Sequence, residues 1–300
     1  MRGRVPAYGA AVRESYPLKG IVCMLVGIVL LTMSDAAAKW FTSDYPVGEV
    51  VAIRALFILT FIVMFSAWRG RVGELRVIDY RKHLLRGGFA CASTLLFVAG
   101  LSRLPIADAI AATFAGPLFI TALAPLLLRE RVGWQKWFAV LAGFLGVMLM
   151  VRPSGDLVRW ALLLPLGAAF AGALRDLVTR RISLTEGSTA ILFTTNAMVL
   201  CAGLLSLPAG WRVPDAADFL LIGLAGGLMG VAHYLHIEAF RLAEAAVVAP
   251  FKYTSIVWAV ILGFVFWGQL PDRWVVGGSV LVIASGLYIF YREHRGARLA

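Results

Sequence analysis

The sequence predicts an all-α integral membrane protein, with ten transmembrane helices arranged as two inverted five-helix repeats around a central cavity. Three observations predict it. The 300 residues are 60% hydrophobic and only 15% charged, with a mean hydropathy of +0.83, whereas soluble chains are nearer half apolar and a quarter charged. Apolar runs of membrane-crossing length, about 20 residues, recur ten times along the chain. Distinctive residue groups of the first half return in the second half at nearly constant offsets.

Residues 1–17, with Arg2, Arg4 and Arg13, precede span 1 at 18–40. That run is too long for the apolar region of a signal peptide and carries Asp35 and Lys39, so it is read as a retained helix. Span 2 covers 47–68 and encloses Arg54. The longest connection, 69–83, holds Arg69, Arg71, Arg76, Arg81 and Lys82 and leaves no room for an extramembrane domain. Span 3 follows at 84–103. Span 4, at 106–128, contains Pro117 and Pro125, which lack a donor and are expected to break the helix. Span 5, at 134–151, closes a first repeat of 18–151. The second repeat, 159–291, holds spans at 159–179, 188–207, 218–240, 246–268 and 274–291, with Pro250 as a third expected helix break. Residues 292–300 form a tail.

With the N-terminus inside, 20 of the 28 Lys and Arg fall on one side of the membrane, so both termini are expected in the cytoplasm. The excess of 28 basic over 17 acidic residues therefore orients the chain and calls for no nucleic acid. Cys23, Cys91 and Cys201 lie in apolar runs without CxxC spacing, which indicates neither a disulfide framework nor a zinc site.

Internal repetition carries more information. Asp35 and Lys39 at the end of span 1 match Asp176 and Arg180 at the end of span 6. An acid and a base four apart share a helix face and can pair, so the two pairs are candidate gating or coupling elements, or interface charges that neutralise each other. Ala107-Asp108-Ala109 matches Ala243-Glu244-Ala245, and Trp134 with Gly146 matches Trp274 with Gly286. Five helices per half is an odd number, so the second half enters the membrane from the opposite side. Halves related in this way can exchange conformations and thereby alternate access.

The stretch from Pro105 through Val151 joins a short turn, a small-residue helix broken by proline, the Glu130-Arg131 turn and a glycine-studded helix. In this it resembles the EamA-type branch of the drug/metabolite transporter superfamily, and most nearly its bacterial amino-acid and metabolite exporters. The second copy, Leu242 through Phe290, departs by carrying Gln269, Leu270 and Pro271 where the first has Glu130, Arg131 and Val132. The resemblance implies two inverted five-helix repeats around a cavity and the movement of small solutes.

Ionisable side chains within spans are costly and face cavities or partners. Span 8 holds His233, Tyr234, His236 and Glu238. At 100° per residue the two histidines share one face, and Tyr234 and Glu238 another. A chelating histidine pair with no third ligand at comparable spacing favours cavity lining or interhelical bonding over a metal. Lys252 in span 9 needs an anion, a carbonyl or water, and Glu238 and the carboxylate of an amino-acid substrate are the candidates. Phe97, Phe114, Tyr253 and Trp258 lie within spans and are candidate cavity walls, unlike the tryptophans near span ends that suit an interfacial belt. The expected function is secondary transport, with export of aromatic or other apolar amino acids or related metabolites from an inner-membrane monomer. Its partners would be a small-molecule substrate and the lipid bilayer, with no cofactor. Divalent-metal or drug transport is the alternative. A channel has less support because the charges are scattered singly. An intramembrane enzyme has less because HExxH, GxSxG and a paired intramembrane Asp motif are missing, and no GxxxxGK[ST] is present to drive ATP-powered transport.

Overall fold

The computed structural model describes residues 16–77, 79–128, 133–151, 160–182, 186–243 and 245–297, all helices and their connections. The helices are α1 (Pro17–Phe41), α2 (Val47–Trp68), α3 (Tyr80–Leu101), α4 (Ile106–Thr113), α5 (Gly116–Leu128), α6 (Trp134–Val151), α7 (Leu163–Ile182), α8 (Ser188–Leu204), α9 (Ala216–Leu242), α10 (Ala245–Val248), α11 (Ser255–Trp267) and α12 (Arg273–Ala297). At 1.5 Å per residue the 22 residues of α2 reach about 33 Å, enough for a bilayer core of about 30 Å. Eight helices among the described residues are long and apolar enough to cross a membrane, counting α4 with α5 as one and Pro250–Trp267 as one. The chain is a multi-pass membrane protein. Of the remaining two expected spans, α7 carries Arg175 and Asp176, and α8 is a shorter apolar helix.

Helix starts follow local chemistry. Pro17 opens α1, where a missing donor is harmless. The Asp79 carboxylate accepts the N–H groups of Arg81 and Lys82 at the start of α3, and Asp215 accepts that of Asp218 at the start of α9. The proline breaks are uneven. The helix parts between α4 and α5, just ahead of Pro117, and Pro250 sits in a 3-10 turn, Ala249–Thr254, that separates α10 from α11. Pro125, expected as a break, lies inside a continuous α5, because a single missing donor removes one bond and leaves its neighbours to hold the turn.

Long-range bonds fix the two ends of the bundle. The Tyr16 N–H donates to the Leu242 carbonyl (3.0 Å), which joins the start of α1 to the end of α9. At the opposite end the Tyr45 hydroxyl donates to Asp218 (2.5 Å), and the Arg212 N–H donates to the Glu49 carboxylate (3.0 Å). Helix α1 packs on α9, α3 on α7, α2 on α8 and on α9, α6 on α12, α8 on α3, α5 on α7, and α11 on α1. The main core gathers, among others, Ala36, Ala38 and Phe41 of α1, Val50 and Ile53 of α2, Leu101 and Leu104, and Ile106, Ala107 and Ala109 to Ala112 of α4. Most of it lies toward the Tyr45 end, and Val140 and Ile289 extend it away from that end.

Candidate functional site

A cavity of about 800 Å³ lies between the helices, lined by parts of α1 to α5, α7 to α9 and α12 and by the 3-10 turn. Its volume falls within the range of about 300–1,000 Å³ usual for small-molecule sites. It runs from Asp35 and Arg54 near the packed end to Lys252, Leu287 and Phe290 toward the other.

At the deep end Arg54 and Asp35 form an ion pair of 3.3 Å, with both side chains buried. The same Arg54 Nη2 donates to the Ser34 hydroxyl (2.7 Å) and lies 3.3 Å from the Met229 sulfur, while its buried Nε has no hydrogen-bond partner. Ser34 in turn donates to the Ala225 carbonyl (2.7 Å). Gly226 makes this possible, since a Cβ there would stand 2.5 Å from the Arg54 carbonyl oxygen; only glycine lets α9 come this close to the α2 backbone. Lys39 does not pair with Asp35 as its spacing suggests. Its ammonium donates to the carbonyls of Leu101 (3.0 Å) and Leu104 (2.5 Å), tying α1 to the end of α3. Asp108 lies within its electrostatic reach, with a buried Oδ1 that has no hydrogen-bond partner.

On the α7 wall Arg175 holds Asp176 at 2.9 Å. Arg180, the expected partner of Asp176, has its side chain outside the described residues. Arg86 of α3 donates to the hydroxyls of Thr179 (2.7 Å) and Thr195. His233, His236, Lys252, Tyr253, Phe97, Phe114, Pro117 and Pro250 all line the cavity, and Tyr253 meets Phe114 edge to face at 5.0 Å between ring centroids. Besides Lys39, four expected residues do not line it. Tyr234 packs on Phe65 of α2, Glu238 binds Arg241 (2.7 Å), Trp258 packs beside Met24 and Ile28, and Pro125 lies elsewhere on α5. Glu238 is therefore taken and does not serve Lys252, whose ammonium stands 5.3 Å from the Phe240 ring centre. No group of three or more His, Cys, Asp or Glu able to hold a metal occurs among the described residues.

The model of the EamA-like transporter family matches residues 18–152 and again 159–291. The chain belongs to the EamA-like transporter family. Among curated proteins, this EamA-like chain is 32% identical over 293 residues to a riboflavin transporter of Rhizobium johnstonii, covering 96% of each. It is 26% identical over 281 residues to an S-adenosylmethionine uptake transporter of Rickettsia prowazekii, covering 93% of this chain and 94% of that one. It is 23% identical over 272 residues to the pseudopaline exporter CntI of Pseudomonas aeruginosa, covering 89% and 94%. A solved crystal structure shares the fold with a TM-score of 0.60 at 17% identity, over 89% of this chain and 94% of that chain. The EamA-like chain is thus a membrane transporter and not an enzyme. Its cavity also contains Arg86, Arg175, Thr113, Thr121, Thr195 and Asn196, none of which sequence reasoning singled out for the site. Arg86 and Arg175 are two of the 20 Lys and Arg that the charge count assigns to one side of the membrane, so the sequence shows them as topology charges.

Proposed function

We propose that this chain is a secondary transporter that moves a heteroaromatic metabolite of about flavin size across a bacterial inner membrane by alternating access. In this reading it acts as a monomer with both termini in the cytoplasm. The observation that carries it is the cavity of about 800 Å³, with Phe97, Phe114 and Tyr253 beside a wall of hydroxyl and cationic groups. Flat rings pack on aromatic edges and faces, while hydroxyls orient polar ring substituents. The riboflavin transporter of Rhizobium johnstonii agrees in substrate class. S-adenosylmethionine, named for the Rickettsia relatives, carries a sulfonium charge that a cation-rich wall opposes.

The inverted-repeat reading draws support from the packing. Exchanging each span for the one five places away turns the α1–α9 contact into α7–α3, α2–α9 into α8–α3, and α5–α7 into α11–α1; the α2–α8 and α6–α12 contacts map onto themselves. With most of the core toward the Tyr45 end, the cavity extends toward the end where α1 begins and α12 ends, the cytoplasmic side under the charge rule. Export of a free amino acid, the narrower expectation, has Lys252 in its favour as a carboxylate partner but leaves most of the cavity volume unfilled.

Counterflow into proteoliposomes tests the reading. Vesicles loaded with unlabelled riboflavin should accumulate labelled riboflavin saturably, and more than phenylalanine or S-adenosylmethionine under matched loading. Saturable counterflow for amino acids alone would replace the substrate class, and unsaturable conductance would replace the carrier by a channel.

A further inference from the structure

The ionic groups that line the cavity do not balance. Among the described residues four are basic, Arg54, Arg86, Arg175 and Lys252, and two are carboxylates, Asp35 and Asp176. Both carboxylates are engaged, Asp35 with Arg54 at 3.3 Å and Asp176 with Arg175 at 2.9 Å. Arg86 meets, among the described residues, only the neutral hydroxyls of Thr179 and Thr195, although it is buried. Among the described residues Lys252 meets only the face of Phe240. Protein surrounds it on most sides, yet it remains exposed, and that exposure is to the cavity it lines. The two leftover cations stand around one feature, since each lies within electrostatic reach of both Arg175 and Asp176. The nearest other carboxylate on the adjoining helix, Glu238, is held by Arg241, and His233 and His236 add no negative charge.

A cation out of bulk water and without a counter-ion is costly unless an anion or water meets it. Two such cations facing one cavity disfavour cationic cargo and reward an anion, most strongly a planar oxyanion that can accept two bonds from a guanidinium. We infer that the cargo of this cavity is an anion, and that Arg86 and Lys252 hold its carboxylate or phosphate while Phe97, Phe114 and Tyr253 hold its ring. This rests on the reading of the cavity as the transport site and narrows it to the charged members of the heteroaromatic class.

Equilibrium dialysis of the purified full chain in detergent at fixed ionic strength tests the inference with four probes: riboflavin, its phosphate ester FMN, the carboxymethyl analogue of flavin, and inorganic phosphate. The three flavins share a ring and differ in charge. FMN, the carboxymethyl analogue or both should bind about tenfold or more tighter than riboflavin, the size expected of a charge-assisted contact. Which anion gains more separates phosphate from carboxylate recognition. Arg86→Gln and Lys252→Gln should each cut the anion-to-riboflavin ratio several-fold, whereas Lys252→Arg, which keeps the charge, should preserve it and reports that the position tolerates substitution. Riboflavin binding as tightly as both anions would overturn the anion assignment and leave the flavin-sized cargo standing. Saturable phosphate binding that is lost in Lys252→Gln, with no flavin bound, would do the reverse. Absence of binding by all four would overturn both.

Discussion

Asp35→Asn isolates the contribution of the buried ion pair. In the native protein Asp35 is 7% exposed and Arg54 4%, and the charges sit 3.3 Å apart. At an effective dielectric of about 20 their attraction is about 5 kcal/mol. Asparagine keeps the shape and a carbonyl acceptor but removes the charge, so Arg54 is left with the Ser34 hydroxyl and the Met229 sulfur. Breaking a buried pair by removing one partner costs about 3–5 kcal/mol. Because Arg54 borders the cavity and water there relieves part of the loss, the expected destabilisation is about 3 kcal/mol. The double variant Asp35→Asn/Arg54→Gln leaves no uncompensated charge and should return to within about 1 kcal/mol of the native protein. Reversible unfolding in mixed micelles, followed by tryptophan fluorescence, measures both. A loss under about 1 kcal/mol in the single variant, or a double variant as unstable as the sum of the singles, would refute the account of this pair.

Lys39→Met removes a charged donor from the Leu101 and Leu104 carbonyls and should lower stability by about 1.5–3 kcal/mol in the same unfolding assay. Gly278→Ala puts a Cβ at 2.4 Å from the Gly146 carbonyl oxygen, which pushes α12 off α6; a loss of about 1–3 kcal/mol is expected, and melting temperature in detergent checks it. The hydrogen bond from Tyr45 to the Asp218 carboxylate pushes the phenol up to about 12 from its usual 10.0. The folded state therefore holds that proton more tightly, so the contact stabilises fully below pH 10 and is lost as pH rises through about 12. The difference in ultraviolet titration between native protein and Tyr45→Phe should centre near that higher value, and a centre near 10 would remove the bond.

Helices were legible because lipid imposes one rule on every span, a long run of apolar residues with the backbone satisfied internally. Val47–Trp68 and Trp134–Val151 agree with the expected 47–68 and 134–151 at both ends. Spans 4 and 9 were legible as runs with breaks expected at Pro117, Pro125 and Pro250, and the observed helix ends match those expectations unevenly. The parting at Phe114 and Ala115 precedes Pro117, whereas Pro125 sits in an intact turn. A proline marks where a donor is missing; whether the helix bends there depends on how its neighbours pack.

The cavity charges were legible as residues and illegible as partners. Spacing of four suggested Asp35 with Lys39, but that rule covers only contacts along one helix, and a weak local pair gives way when another helix brings a better one. Asp35 takes Arg54 from α2 and Lys39 takes two carbonyls at the end of α3. Along span 8 the reverse holds: Glu238 keeps a local partner, Arg241, and so leaves Lys252 to the cavity. Each choice follows from which groups meet across helix contacts, such as α9 pressed on α2 through Gly226. The imbalance that points to an anionic cargo arises from the same competition. Arg54 and Arg175 each obtain a carboxylate, Lys39 obtains carbonyls, and Arg86 and Lys252 keep positive charge facing the space a solute would fill.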